Sequence, residues 1–180
     1  MKRPKRLSQN ELWEYAVKQL ASRAQAVGEL RQKLLRRAEK GEDVEAVLAR
    51  LKEAGALDDR KFAEYFAARR LENDNFGKWR VLAELRGRQV AGSIADQAVG
   101  EVYHGVDELE LAQRFLARKF RNAAICDLTG NPKGLASLYR KLRAAGFSHR
   151  VILESLKAHL KSGEQLEAFE AYESEGSADP

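Results

Sequence analysis

The feature that most constrains this chain is a helical unit written three times. Leu12, Tyr15, Ala16, Leu20, Leu30 and Leu34 recur 51 residues later as Ala63, Phe66, Ala67, Leu71, Val81 and Leu85, and every position stays apolar. The same shift carries Leu48 to Val99 and Leu51 to Val102. In a third copy, Ala112, Phe115, Leu116 and Phe120 follow Ala63, Phe66, Ala67 and Leu71 by 49 residues, while Leu138, Leu142, Ile152 and Leu156 follow Val81, Leu85, Ala95 and Val99 by 57. The two shifts differ by eight residues, which marks an insertion near 121–131. Each copy holds three stretches with apolar residues at i, i+3, i+4 and i+7, the spacing that gathers side chains on one face of a helix. An all-α fold of three tandem three-helix repeats, nine helices in all, is predicted. A unit of this size has a thin core, so neighbouring copies are expected to brace one another in an elongated, curved array.

Composition supports helices. Leu and Ala dominate the apolar set, Thr129 is the only threonine, and two of the three prolines, Pro4 and Pro180, sit at the chain ends. β-Branched residues favour strands, whereas Ala and Leu lose little freedom in a helix. Punctuation sharpens the boundaries. Ser8-Gln9-Asn10-Glu11 reads as a capping box. Asp58 and Asp59 start the first helix of copy two, where carboxylates cap and suit the helix dipole. Asn131-Pro132 places a cap before a proline at the first helical position. Gly41, Gly55, Gly105 and Gly146 mark other ends. The expected segments are a basic arm (1–7), repeat one (8–55), repeat two (56–104), repeat three with its insertion (105–162) and an acidic tail (163–180).

Several function classes fall away. No apolar run approaches the roughly 20 residues that span a bilayer. The basic start lacks a signal-peptide core. Cys126 is the only cysteine, so no intrachain disulfide is expected and a cytoplasmic setting fits. His104, His149 and His159 show no metal-ligand spacing with one another or with Cys126. Neither a phosphate-binding loop nor a nucleophile elbow occurs. No catalytic residue, metal or cofactor is expected, and the chain does not read as an enzyme.

Charge is the positive signal. The net charge is +5, but it is unevenly placed. Lys2, Arg3, Lys5 and Arg6 form the arm, and Glu164, Glu167, Glu170, Glu173, Glu175 and Asp179 crowd the tail. Without those four bases and six acids, residues 7–162 carry +7. Such a body suits a polyanion or an acidic protein surface, although basic residues also keep helices soluble.

At the junction of copies one and two stand Gly55, Leu57, Asp58, Asp59, Phe62 and Ala63, followed by Arg69, then Gly77, Arg80, Val81, Glu84 and Leu85. Copy one has Glu29-Leu30-Arg31-Gln32-Lys33-Leu34, and copy three has Leu142 ahead of Gly146-Phe147-Ser148. In order and spacing these fragments resemble the RecX family of recombination regulators over residues 10–160. Ala56 stands where that family usually has an aromatic, Lys78 where proline is frequent, and Gln89 where glycine is usual. The resemblance implies a non-enzymatic protein that binds RecA, the recombinase that polymerises on single-stranded DNA. It also implies inhibition of ATP hydrolysis, strand exchange and filament growth. Weak, salt-dependent direct binding to single-stranded DNA and a monomeric state are expected with it, and no membrane partner.

The candidate contacts are basic residues on the second helix of each copy and their neighbours: Arg31, Arg36 and Arg37; Arg80, Arg86 and Arg88; Arg140, Lys141 and Arg143; with Arg69 and Arg70. A guanidinium offers a flat fork to phosphate or carboxylate. The plainer role for any one of them is a helix cap or an ion pair with Glu29, Glu72 or Glu84. Trp13, Tyr15, Phe62, Phe66, Phe115 and Phe120 follow helical spacing and are expected in the core. Trp79 is expected to pack between copies, with base stacking as its other role. The tail either stays solvated or docks on the basic body through Leu166, Phe169 and Tyr172. A direct DNA-binding repressor or architectural protein, and a scaffold with no nucleic-acid role, remain alternative functions.

Overall fold

The computed structural model describes residues 6–120 and 122–160. The acidic tail and the first five residues of the basic arm lie outside the described residues. The described chain is all-α, built on tandem three-helix repeats: α1 (Gln9–Ser22), α2 (Val27–Leu35), α3 (Gly41–Glu53), α4 (Asp59–Arg69), α5 (Lys78–Gly87), α6 (Gly92–Val102), α7 (Glu108–Lys119), α8 (Asn122–Thr129), α9 (Pro132–Ala144) and α10 (His149–Lys157). Ten helices are therefore described where nine were expected. The additional one, α8, occupies the insertion, where Ile125 and Thr129 are buried. Thr129 satisfies its hydroxyl by donating to the His159 carbonyl at 3.0 Å. After α4, Arg70–Asp74 form a π-helical turn, closed by Asn75 at φ +52°.

The helices form two compact units: Met1–Ala68 with Leu82–Val102, and Arg69–Val81 with Tyr103–Pro180. The division crosses repeat two, because the α4–α5 connection and the first turn of α5 go with the second unit.

The first unit is built on Leu12, Ala16, Leu30, Leu34, Val44, Val47, Leu48 and Leu51, all buried. Full burial of one such leucine contributes about 2–3 kcal/mol of transfer free energy. Local chemistry fixes where its helices begin. Glu11 accepts the Ser8 backbone N–H at 3.0 Å, closing the capping box at α1. Arg6 donates to the Ala38 carbonyl, and Leu7 exchanges backbone hydrogen bonds with Arg37 and Glu39, so the end of the basic arm is pinned to the α2–α3 connection. The aspartate pair divides its work. Asp58 accepts the N–H groups of Arg60 and Lys61 and caps α4. Asp59 reaches back 32 residues to accept the Val27 N–H at 2.8 Å and caps α2.

The second unit centres on Leu111, Leu116, Leu135, Leu138, Leu142, Ile152 and Leu156, all buried. Asp107, Asn131 and Ser148 cap α7, α9 and α10 through their side chains. Pro132 opens α9, as the sequence predicts.

Candidate binding surface

The motif residues build scaffold rather than a ligand cavity. Gly55 takes φ +68° after α3. Leu57, Phe62, Ala63, Val81, Leu85 and Phe147 are buried, and Glu84 is half-buried. In the second unit, Gly77 donates its N–H to the Ala145 carbonyl at 2.8 Å. A Cβ on Gly77 would run into the Gly146 carbonyl, and one on Gly146, at φ +91°, would meet the Arg80 backbone nitrogen. Glycine is needed at both positions by close approach, and at Gly146 by conformation as well. Phe115 stands against Phe76 and Phe147 with ring centroids 6.2 and 6.0 Å apart. The Tyr103 hydroxyl donates to the Phe76 carbonyl at 2.7 Å. Two distant sequence motifs, around Gly77 and Gly146, thus become one packed joint.

The candidate bases fall into different circumstances. In the first unit Arg31 pairs with Glu45 at 2.6 Å and Arg86 with Asp96 at 3.0 Å, both on the surface. Arg88 pairs with Glu29 at 3.2 Å and lies 5.0 Å over the Phe66 ring. Arg37 lies 4.6 Å over Tyr15. The 51-residue shift that aligns the first two repeats carries Tyr15–Arg37 onto Phe66–Arg88, so these arginines repeat as lids on first-helix aromatics. Trp13 is likewise covered by Arg50 at 3.9 Å. Of the aromatics expected in the core, Phe62 and Phe115 are buried, while Trp13, Tyr15, Phe66 and Phe120 are half-buried, with Trp13 and Tyr15 packed against the first unit's core. A guanidinium over each of the first three half-buried rings, and Lys141 over Phe120, covers what the helices leave open. The pairing was available from the repeat register but falls between helices, so single-helix periodicity does not reveal it.

Glu29 is the hub of the first unit's charges. It receives Arg23, Lys33 at 3.2 Å and Arg88. Partial burial pushes its carboxyl up, but hydrogen bonds and charge from Arg23 and Lys33 outweigh this and hold it below the usual carboxylate range. Of the candidates in this unit, Arg36 and Arg37 are exposed with no ion pair among the described residues, and Arg37 is the one that lies on a ring.

In the second unit Arg70 pairs with Asp74 at 2.8 Å. Arg80 stacks 3.7 Å over Phe76 and donates to the Ala144 carbonyl at 3.3 Å. Lys141 covers Phe120 at 4.7 Å. Arg69 is exposed at the end of α4. Arg140 and Arg143 project from the last turns of α9, exposed and without an ion pair among the described residues. Trp79 is 55% exposed, which corrects the expectation that it packs away between copies. It occupies the outward side of the first turn of α5, next to the buried Val81. Arg140, Arg143 and Trp79, whose ring the Lys78 ammonium approaches to 5.8 Å, are thus exposed groups that this unit offers to a partner.

At position 56 the small side chain of Ala56 lies exposed, on a cleft of about 320 Å³ shared with Leu20, Phe62 and Tyr65. At position 89 the departure from the family pattern has a backbone meaning. Gln89 sits at φ +63°, where glycine is favoured, and its backbone abuts Gly28.

No group of three or more potential metal ligands occurs among the described residues. No helix among them is long and apolar enough to cross a membrane.

Comparison with known proteins agrees with the motifs. Residues 13–51 match the model of the first three-helix domain of RecX, and residues 58–99 that of the second. The chain is 32% identical over 143 residues to regulatory protein RecX of Herminiimonas arsenicoxydans, covering 79% of this chain and 89% of that one. Its identity to the Herbaspirillum seropedicae protein of the same name is 34% over 142 residues, covering 79% and 86%. The crystal structure of RecX from Lactobacillus salivarius superposes with a TM-score of 0.68 at 16% identity, over 84% of this chain and 96% of that one. The last likeness concerns fold alone, but the sequence identity spans nearly the whole length of the relatives, and on that ground the chain belongs to the RecX family of regulatory proteins.

Proposed function

We propose that the chain is a non-enzymatic regulator that binds RecA filaments on single-stranded DNA and inhibits ATP hydrolysis, strand exchange and filament growth. Family membership over four-fifths of the chain carries this reading. The surface chemistry supports it. A filament on DNA offers phosphates, and Arg140 and Arg143 are exposed guanidiniums not consumed by internal ion pairs among the described residues. Direct contact with single-stranded DNA is weak and salt-dependent on this reading, because each neutralised phosphate releases counterions. The protein acts as a monomer, in the cytoplasm where RecA meets the chromosome, and needs neither metal nor cofactor.

Titration into RecA on single-stranded DNA tests the proposal. ATP hydrolysis is expected to fall at less than one molecule per recombinase subunit, since blocking growth at an end stops addition of many subunits. Hydrolysis that stays unchanged at a large excess overturns the reading.

A further inference from the structure

Trp79 is the one large aromatic in the second unit that lies more than half exposed among the described residues. Its flanks are fixed. Lys78 is held by Glu108 at 2.8 Å, and Gly77 is bound to the Ala145 carbonyl. Arg80 is held by the Phe76 ring and the Ala144 carbonyl. The indole therefore rides on a turn anchored on both sides, and its ordering on binding loses little freedom. The same anchor points, Ala144 and Ala145, end α9, whose last turns carry Arg140 and Arg143. These two stand three residues apart, on one face of the helix. The start of α5 and the end of α9, joined through Gly77 and Arg80, thus carry an exposed indole and exposed guanidiniums, the combination that binds single strands, where a ring stacks on a base and the cations take the phosphates. A duplex hides its base faces in its own stack, so an indole finds no such surface there.

We propose that Trp79 is a base-stacking residue for single-stranded DNA, with Arg140 and Arg143 holding the adjacent phosphates. The proposal deepens the functional reading by placing the DNA contact at the α5–α9 joint of the second unit. Stacking is sequence-tolerant because every base has a π face, which suits a regulator of filaments formed on any sequence.

The test uses the full chain with Trp13→Phe, which leaves Trp79 as the only tryptophan. Titration with oligothymidylate is expected to quench Trp79 emission. Trp79→Ala in the full chain is expected to weaken oligothymidylate binding about 5- to 100-fold with the salt slope unchanged, since stacking releases no counterions. Trp79→Phe should restore most of the loss. Undiminished affinity of Trp79→Ala, or emission that does not respond while DNA binds, overturns the stacking role. A Trp79→Ala variant that loses inhibition of RecA but keeps its affinity for oligothymidylate also overturns it, because Trp79 then faces protein. Each of these results leaves the RecA reading intact. That reading fails separately, if ATP hydrolysis by RecA ignores the parent protein.

Discussion

The two compact units treat their arginines differently. In the first, Arg31, Arg86 and Arg88 meet carboxylates, Arg37 and Arg50 lie on aromatic rings, and Glu29 collects three cations, which leaves Arg36 as the candidate with neither an ion pair nor a ring among the described residues. In the second, Arg80 and Lys141 cover rings, yet Arg140 and Arg143 stay exposed and unpaired among the described residues at the end of α9. A basic count alone would give the two units similar attraction for a polyanion. The difference lies in what each cation gives up on binding. An arginine already paired must exchange one partner for another, so little is gained, while an unpaired one adds its contact outright.

The largest effect tests whether the units nevertheless share one repeat geometry. Leu34 in the first and Leu142 in the second hold equivalent positions, and both are fully buried. Leu34→Ala and Leu142→Ala should each cost about 2–5 kcal/mol, read from denaturant unfolding. An unchanged midpoint for either would break the equivalence.

A smaller effect addresses the charge contrast directly. Arg140→Ala with Arg143→Ala is expected to weaken single-stranded DNA binding about tenfold, near 1.4 kcal/mol. The slope of log affinity against log salt should flatten by about 1.4. Stability should hardly move. Arg86→Ala with Arg88→Ala should do the reverse, lowering the melting temperature by loss of the Asp96 and Glu29 pairs and of the Phe66 lid, while DNA binding keeps its salt slope. Equal salt slopes for the two double variants would erase the distinction between the units.

The smallest effect sits within the first unit. Gln89→Gly places the residue that tolerates positive φ at a position already at +63°. Stability should rise by about 0.5–1 kcal/mol, read as a higher unfolding midpoint. A fall would show that the Gln89 side chain contributes more than its backbone conformation costs.

Much of this was legible from the sequence. The 51-residue shift predicted burial for Leu12, Leu30 and Leu34 and equally for their counterparts Ala63, Val81 and Leu85, and each of the six is buried. The capping box at Ser8 and the cap at Asn131 were readable because donor and acceptor lie within one turn. The departure at Gln89 was visible as a missing glycine. Asp59 was less legible. Its place at a helix start suggested a cap for its own helix, but the N–H it accepts belongs to Val27. Trp79 was misjudged, because its neighbour Val81 belongs to an apolar row while the indole itself points off that row.

What the sequence determined by itself is therefore nine of the ten described helices, most of their starts, the repeat register and the family. These follow from interactions between residues at most a few positions apart, or from a pattern that recurs along the chain. Which arginines remain available was decided only by the tertiary structure. Arg88 is 59 residues from Glu29, and Arg80 is 64 from the Ala144 carbonyl that holds it. Charge is written in the sequence, but its neutralisation depends on distances that exist only once the helices have packed.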